Sequence, residues 1–188
     1  MLPAAEADDR RHACGIVGGI PYSQQEACMR VSVWALLVIV AVAPVAAEDG
    51  LVRFEGGIGV NPVSRVDGTA ATGLAVRNVV RGVNPPGQPW VIARLEAEVN
   101  DNGEISVEGR GLLLAGSNGI GTNGGQSVRA VLFCGSTVSS SGLVPLNQNG
   151  DFRIHGALTP APPNTCDNPA LLIVNGGGTW FAAGIPGR

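Results

Sequence analysis

The 188-residue chain sets twelve arginines and no lysine against fifteen acidic residues, for a formal charge of −3. That mixed, nearly neutral balance leaves no basic footprint for nucleic acid. Two histidines in the whole chain also argue against a histidine-rich metal site.

In chain order, residues 1–28 come first and show little periodicity. They read as an upstream extension, disordered or preceding the true start. Cys14-Gly15-Ile16-Val17-Gly18 resembles the opening of class II glutamine amidotransferases, and Ile16-Val17-Gly18-Gly19 resembles the new N-terminus of activated trypsin-like proteases. Neither motif has its supporting domain here, so both read as chance matches. Residues 29–47 follow a different pattern. Arg30 precedes an uncharged apolar run from Val31 to Ala43, Pro44 ends it, and Val45-Ala46-Ala47 offers small residues. These are the three parts of a secretory signal peptide, with cleavage expected between Ala47 and Glu48. The run is short of the roughly 20 residues that a spanning helix needs, so membrane contact is expected only through the uncleaved signal.

Residues 48–188 form one expected domain, all-β from end to end. Strands are expected at Leu51–Val60 and Gly73–Val80. Val91, Ala93, Leu95, Ala97 and Val99 then alternate with Ile92, Arg94, Glu96 and Glu98, the period-two pattern of a half-buried strand. Asn100-Asp101-Asn102-Gly103 supplies a hairpin turn, and Glu104–Glu108 returns, continuing into Gly111–Ala115. Val128–Cys134 follows. Asn147-Gln148-Asn149-Gly150 joins Leu143–Leu146 to Asp151–His155, and the last strands are Ala170–Val174 and Thr179–Ala183. Seven to nine short strands separated by Gly, Asn and Pro predict an antiparallel β-sandwich, jelly-roll or Ig-like, with a barrel as the alternative.

Cys134 and Cys166 are the cysteines left after cleavage, and in an exported chain such a pair reads as a disulfide. No metal and no cofactor is expected. The glycine-rich loop Gly116–Gly125 lacks the Gly-Lys-Ser/Thr of a P-loop and the aspartates of a calcium loop. Ser117 within it nearly matches a Gly-x-Ser-x-Gly elbow, but more Gly and Asn follow where a helix should begin. His155 falls on the polar face of its strand, and Glu96, Glu98, Glu104 and Glu108 read as a solvated acidic face beside Arg94 and Arg110, with cross-strand ion pairs. The candidate binding residues are Trp90 and Trp180 as aromatic surfaces, Asn118 and Asn123 in the glycine loop, and His155.

Asn61-Pro62-Val63-Ser64 followed by Gly68-Thr69-Ala70-Ala71-Thr72-Gly73 resembles the opening of CHRD-type β-domains of secreted bacterial proteins. The later His-containing strand motif of that family is absent. The resemblance implies an extracytoplasmic β-sandwich and assigns no activity. The expectation is therefore a secreted or periplasmic, non-enzymatic module with a protein or small-molecule partner. Self-association through strand edges is open. The alternatives are a small-ligand or carbohydrate binder using Trp90 or Trp180, and a hydrolase using His155 with Asp151 or a distant carboxylate.

Overall fold

The computed structural model describes residues 50–69 and 71–187. The upstream extension, the signal peptide and the motifs at Cys14 and Ile16 lie outside the described residues. Every regular element described is a strand: β1 (Gly50–Gly59), β2 (Val63–Asp67), β3 (Leu74–Arg77), β4 (Trp90–Val91), β5 (Arg94–Asn100), β6 (Glu104–Arg110), β7 (Leu113–Leu114), β8 (Ser127–Cys134), β9 (Thr137–Ser140), β10 (Val144–Pro145), β11 (Phe152–Ala157), β12 (Ala170–Asn175) and β13 (Trp180–Pro186).

Nine of them make one antiparallel sheet in the order β10-β8-β12-β13-β1-β5-β6-β11, with β9 also paired to β8. The sheet curls until its two ends approach. Ser140 and Thr159 exchange backbone hydrogen bonds of 2.9 Å, tying the end of β9 to the chain just past β11. The turn between β10 and β11 adds the bond from Asn147 N to Asp151 O. Opposite parts of this sheet face each other across one core, as sandwich layers do, while the connectivity is that of a partly closed barrel. The expected all-β class is present.

Phe54, Leu95, Val99, Val107, Ile154, Leu132, Leu171 and Ile173 fill the core. The alternation expected in the central hairpin is realised over Leu95, Ala97 and Val99, and again over Ile105 and Val107. Asn100–Gly103 turns as expected: Gly103 N donates to Asn100 O, and Gly103 sits at φ 81°. Upstream the alternation inverts. Val91 is exposed, while Trp90 is buried and Ile92 half-buried. The hairpin bends where Ala93 N donates to Arg110 O and Gly111 takes φ 66°. Beyond the bend β4 and β7 pair in a separate two-stranded ladder. The single strand expected over Val91–Val99 is thus two short strands of opposite phase, and Gly111–Ala115 does not simply continue β6.

Cys134 and Cys166 are joined by a disulfide. It fixes the loop before β12 to the end of β8. Residues 61–89 leave the sheet at Val60 and return at Trp90, whose N–H donates to Val60 O. Within this excursion β2 and β3 pair only with each other and are largely exposed. The second half of the excursion is anchored: Arg81 donates to Asn168 O, and Val80 and Val83 pack on the core.

Candidate functional site

Strand direction sorts the loops onto two ends. One end carries the short Asn100–Gly103 turn and the disulfide-held loop before β12. The other carries the 61–89 excursion, the glycine loop, the Asn147–Gly150 turn and the β12–β13 turn. Long loops on a rigid sheet are where binding residues concentrate, which makes the second end the candidate binding end.

A shallow groove of about 520 Å³ lies there between three segments. Its floor is the indole of Trp90 stacked on Phe181, with centroids 4.1 Å apart and planes 10° from parallel. One wall is the Pro86–Gln88 turn, another is Leu114 with Gly124, and the third is Gln126, Asn175 and Thr179. The third wall is held by its own hydrogen bonds. Asn175 Oδ1 accepts from the backbone N of Gly177 and Thr179 and from the Thr179 hydroxyl. Asn175 Nδ2 donates to Gln126 Oε1 at 3.1 Å, and Gln126 Nε2 donates to Gly124 O. This network joins the β12–β13 turn to the start of β8 and fixes the amide positions. No charged residue lines the groove.

The candidate residues are dispersed. Trp90 is the groove floor, but at 5 % exposure it presents an edge rather than an open platform. Trp180 is buried and outside the groove lining, with its indole N–H donating to Asn78 O. Asn123 holds the glycine loop: its Nδ2 donates to Leu146 O and Asn147 O, and its Oδ1 accepts from Gly125 N. Asn118 is exposed in the same loop. That loop's amides are turned inward, Gly121 N to Leu114 O, Gly125 N to Asn123 Oδ1 and Ile120 N to Ser117 O, which leaves them unavailable to a phosphate. Gln88, Gln126, Asn175 and Thr179 had no sequence signal beyond proximity to Gly and Pro. Their juxtaposition depends on β8 pairing with β12, which brings residues 49 positions apart into contact.

His155 lies elsewhere, on the outer face of β11, with Nδ1 3.2 Å from Ser106 Oγ. Both side chains are exposed, and among the described residues Ser106 is the ring's hydrogen-bond partner. Asp151 cannot complete a triad with it. Its carboxylate accepts from Gly111 N at 3.0 Å and from Asn147 Nδ2 at 3.2 Å, which makes it a brace for the hairpin bend.

The carboxylates line a second shallow groove of about 460 Å³ across β1, β5 and β6. Glu55, Glu96 and Glu108 stand opposite one another in register, and so do Arg94 and Arg110. Like charges directly opposite repel. Two of the pairs that relieve this run along single strands, Arg94 Nε to Glu96 at 3.0 Å and Arg110 Nε to Glu108 at 2.9 Å, and two cross between strands, Arg53–Glu98 at 2.9 Å and Arg153–Glu108 at 3.6 Å. The Arg110 bond holds the Glu108 carboxyl below its ordinary range, and the Glu98 bond raises Arg53. This is the expected solvated ionic face, with its pairs divided between those along single strands and those across them. Among the described residues no cluster of His, Cys, Asp and Glu could hold a metal ion, and no helix is long and apolar enough to cross a membrane.

Comparison with known proteins adds no assignment: no family model, no curated protein and no solved structure matches this chain.

Proposed function

We propose that this chain is an exported, non-catalytic β-domain that works as an interaction module outside the cytoplasm, with the long-loop end as its binding end. The observation that carries the reading is the division of labour between surfaces. An uncharged groove whose Gln126 and Asn175 amides are hydrogen-bonded sits among the long loops, while the ionisable groups stand in exposed pairs along the shallow groove on the outer sheet face. Catalytic groups work in sites that exclude water and hold a base in place with a third group. Ser106 and His155 share a hydrogen bond between exposed side chains instead, in a shallow groove beside Glu98 and Glu104.

Export rests on the Met29–Ala47 signal pattern and fits the Cys134–Cys166 disulfide, since such bonds persist mainly in oxidising compartments. The intact mass of the protein from its own host tests this. The expected species begins at Glu48 and has thiols that alkylate only after reduction. A species retaining residues 29–47 with reactive thiols would overturn export. Turnover of simple esters that disappears in His155→Ala would overturn the non-catalytic part.

A further inference from the structure

We infer that the Trp90–Phe181 groove binds a neutral sugar unit of a glycan. This rests on the interaction-module reading and names its ligand class. The groove has no Arg, Asp, Glu or His in its lining, so a charged ligand would lose hydration with no counter-charge to replace it. A wholly apolar ligand would cover amide donors without pairing them, which is costly. What remains is a neutral ligand rich in hydrogen-bonding groups.

The donor inventory narrows it further. Gln126 Nε2 and Asn175 Nδ2 each make one bond within the wall, and each amide has a second N–H. Gln88 is exposed, and neither its amide nor the indole N–H of Trp90 has a partner among the described residues. The Thr179 proton is given to Asn175, so its oxygen is left as an acceptor. The set is donor-heavy. Sugar hydroxyls suit it, because each accepts through two lone pairs and still donates one proton. Gly124 lies against the indole edge, where a Cβ would meet Trp90 Cη2 at 3.4 Å, so the floor offers a ligand the positive edge of the ring, which suits hydroxyl oxygens. The Gln126 and Asn175 amides are already ordered by their own hydrogen bonds, which lowers the entropy they lose on binding. The groove is open and shallow, a shape for one or two units of a longer chain rather than an enclosed monosaccharide.

The test uses the oxidised chain from Glu48 onward, with maltotriose, cellotriose, xylotriose and chitotriose as neutral probes and trigalacturonate as the charged counterpart. Saturation-transfer NMR and tryptophan fluorescence report binding. Two variants probe the groove: Gln88→Ala removes an exposed donor, and Gly87→Leu fills space where a Cβ would meet nothing within 4 Å. Both are expected to fold with unchanged far-UV circular dichroism. The expected result is saturable binding of at least one neutral trisaccharide, about tenfold weaker for trigalacturonate, and weakened about fivefold or more by each variant. Absence of saturation by every neutral probe at about 20 mM, equal binding of the uronate, or binding untouched by both variants would overturn the inference. The intact-mass measurement is independent of these arms. A mass beginning at Glu48 with no sugar binding would remove the ligand class and leave the module reading standing.

Discussion

Gly150 shows how one residue can decide a turn. It sits at φ 77°, and a Cβ there would come 2.7 Å from Leu112 N and closer still to Leu112 O. Gly82 has a similar φ of 81° but nothing within 4 Å of the same position. Both would pay the left-handed penalty of about 1–2 kcal/mol on becoming alanine. Only Gly150→Ala must also push the backbone that receives the Asn147–Asp151 turn. Urea denaturation should therefore give a loss of about 1–2 kcal/mol for Gly82→Ala and clearly more for Gly150→Ala. Equal losses would mean the hairpin moves aside freely. Glu108 supports a second expectation at this scale. Its folded pKa is lowered from 4.5, chiefly by the Arg110 hydrogen bond. A lowered carboxyl pKa contributes stability above the unfolded value and loses it as pH falls through the folded one. Urea midpoints should therefore fall less steeply below pH 4.5 in Glu108→Gln than in the parent, and 1 M salt should shrink the difference. A parent curve as flat as the variant's would show that the pair contributes nothing.

Among the elements, the β2–β3 hairpin is the piece the rest of the sheet does not need. Val66 is 63 % exposed and Leu74 is 74 % exposed, and the hairpin pairs with no other strand. Its base is closed by the Val63–Arg77 pair. Replacing Ser64–Val76 with Asn-Gly should leave stability within about 0.5 kcal/mol, the usual range for surface changes away from packing. A loss above about 2 kcal/mol would show that the hairpin packs on the body. The disulfide is the opposite kind of element. It closes a loop of sequence separation 32, so replacing both Cys134 and Cys166 with serine should cost about 3–4 kcal/mol in denaturant. An unchanged midpoint would show that the loop before β12 holds without it. The same contrast explains what was legible beforehand. Leu95–Val99, Ile105–Val107 and Phe152–Ile154 each bury one face, so alternation marked them, and Asn-Gly turns marked their ends. β2 has no buried face to impose a period, so no strand was expected there. The inversion at Trp90–Val91 needs the bend at Gly111, a residue in the link between β6 and β7. The groove's Gln126 and Asn175 meet only because β8 and β12 pair, a long-range fact that no local pattern encodes.

For the molecule as a whole, the placement of β13 matters most. The last strand does not sit at an edge: it lies between β12 and β1, pairing antiparallel with both. Among the described residues it is therefore the strand whose ladders join the β8–β12 end of the sheet to the β1–β5–β6–β11 end. The opposite seam relies on the Ser140–Thr159 exchange and the β10–β11 turn, which supply few bonds. β13 also carries Phe181, half of the groove floor, and Ala182, which is fully buried. Ending the chain after Gly178 would unpair β12 and β1 together and expose the faces they bury. The expected outcome is loss of the cooperative urea transition and binding of an apolar dye, the behaviour of a collapsed chain without specific packing. Removing β2–β3, a segment of similar size, should leave that transition in place. If the truncated chain still unfolds cooperatively at nearly the parent midpoint, the seam rather than β13 closes the sheet.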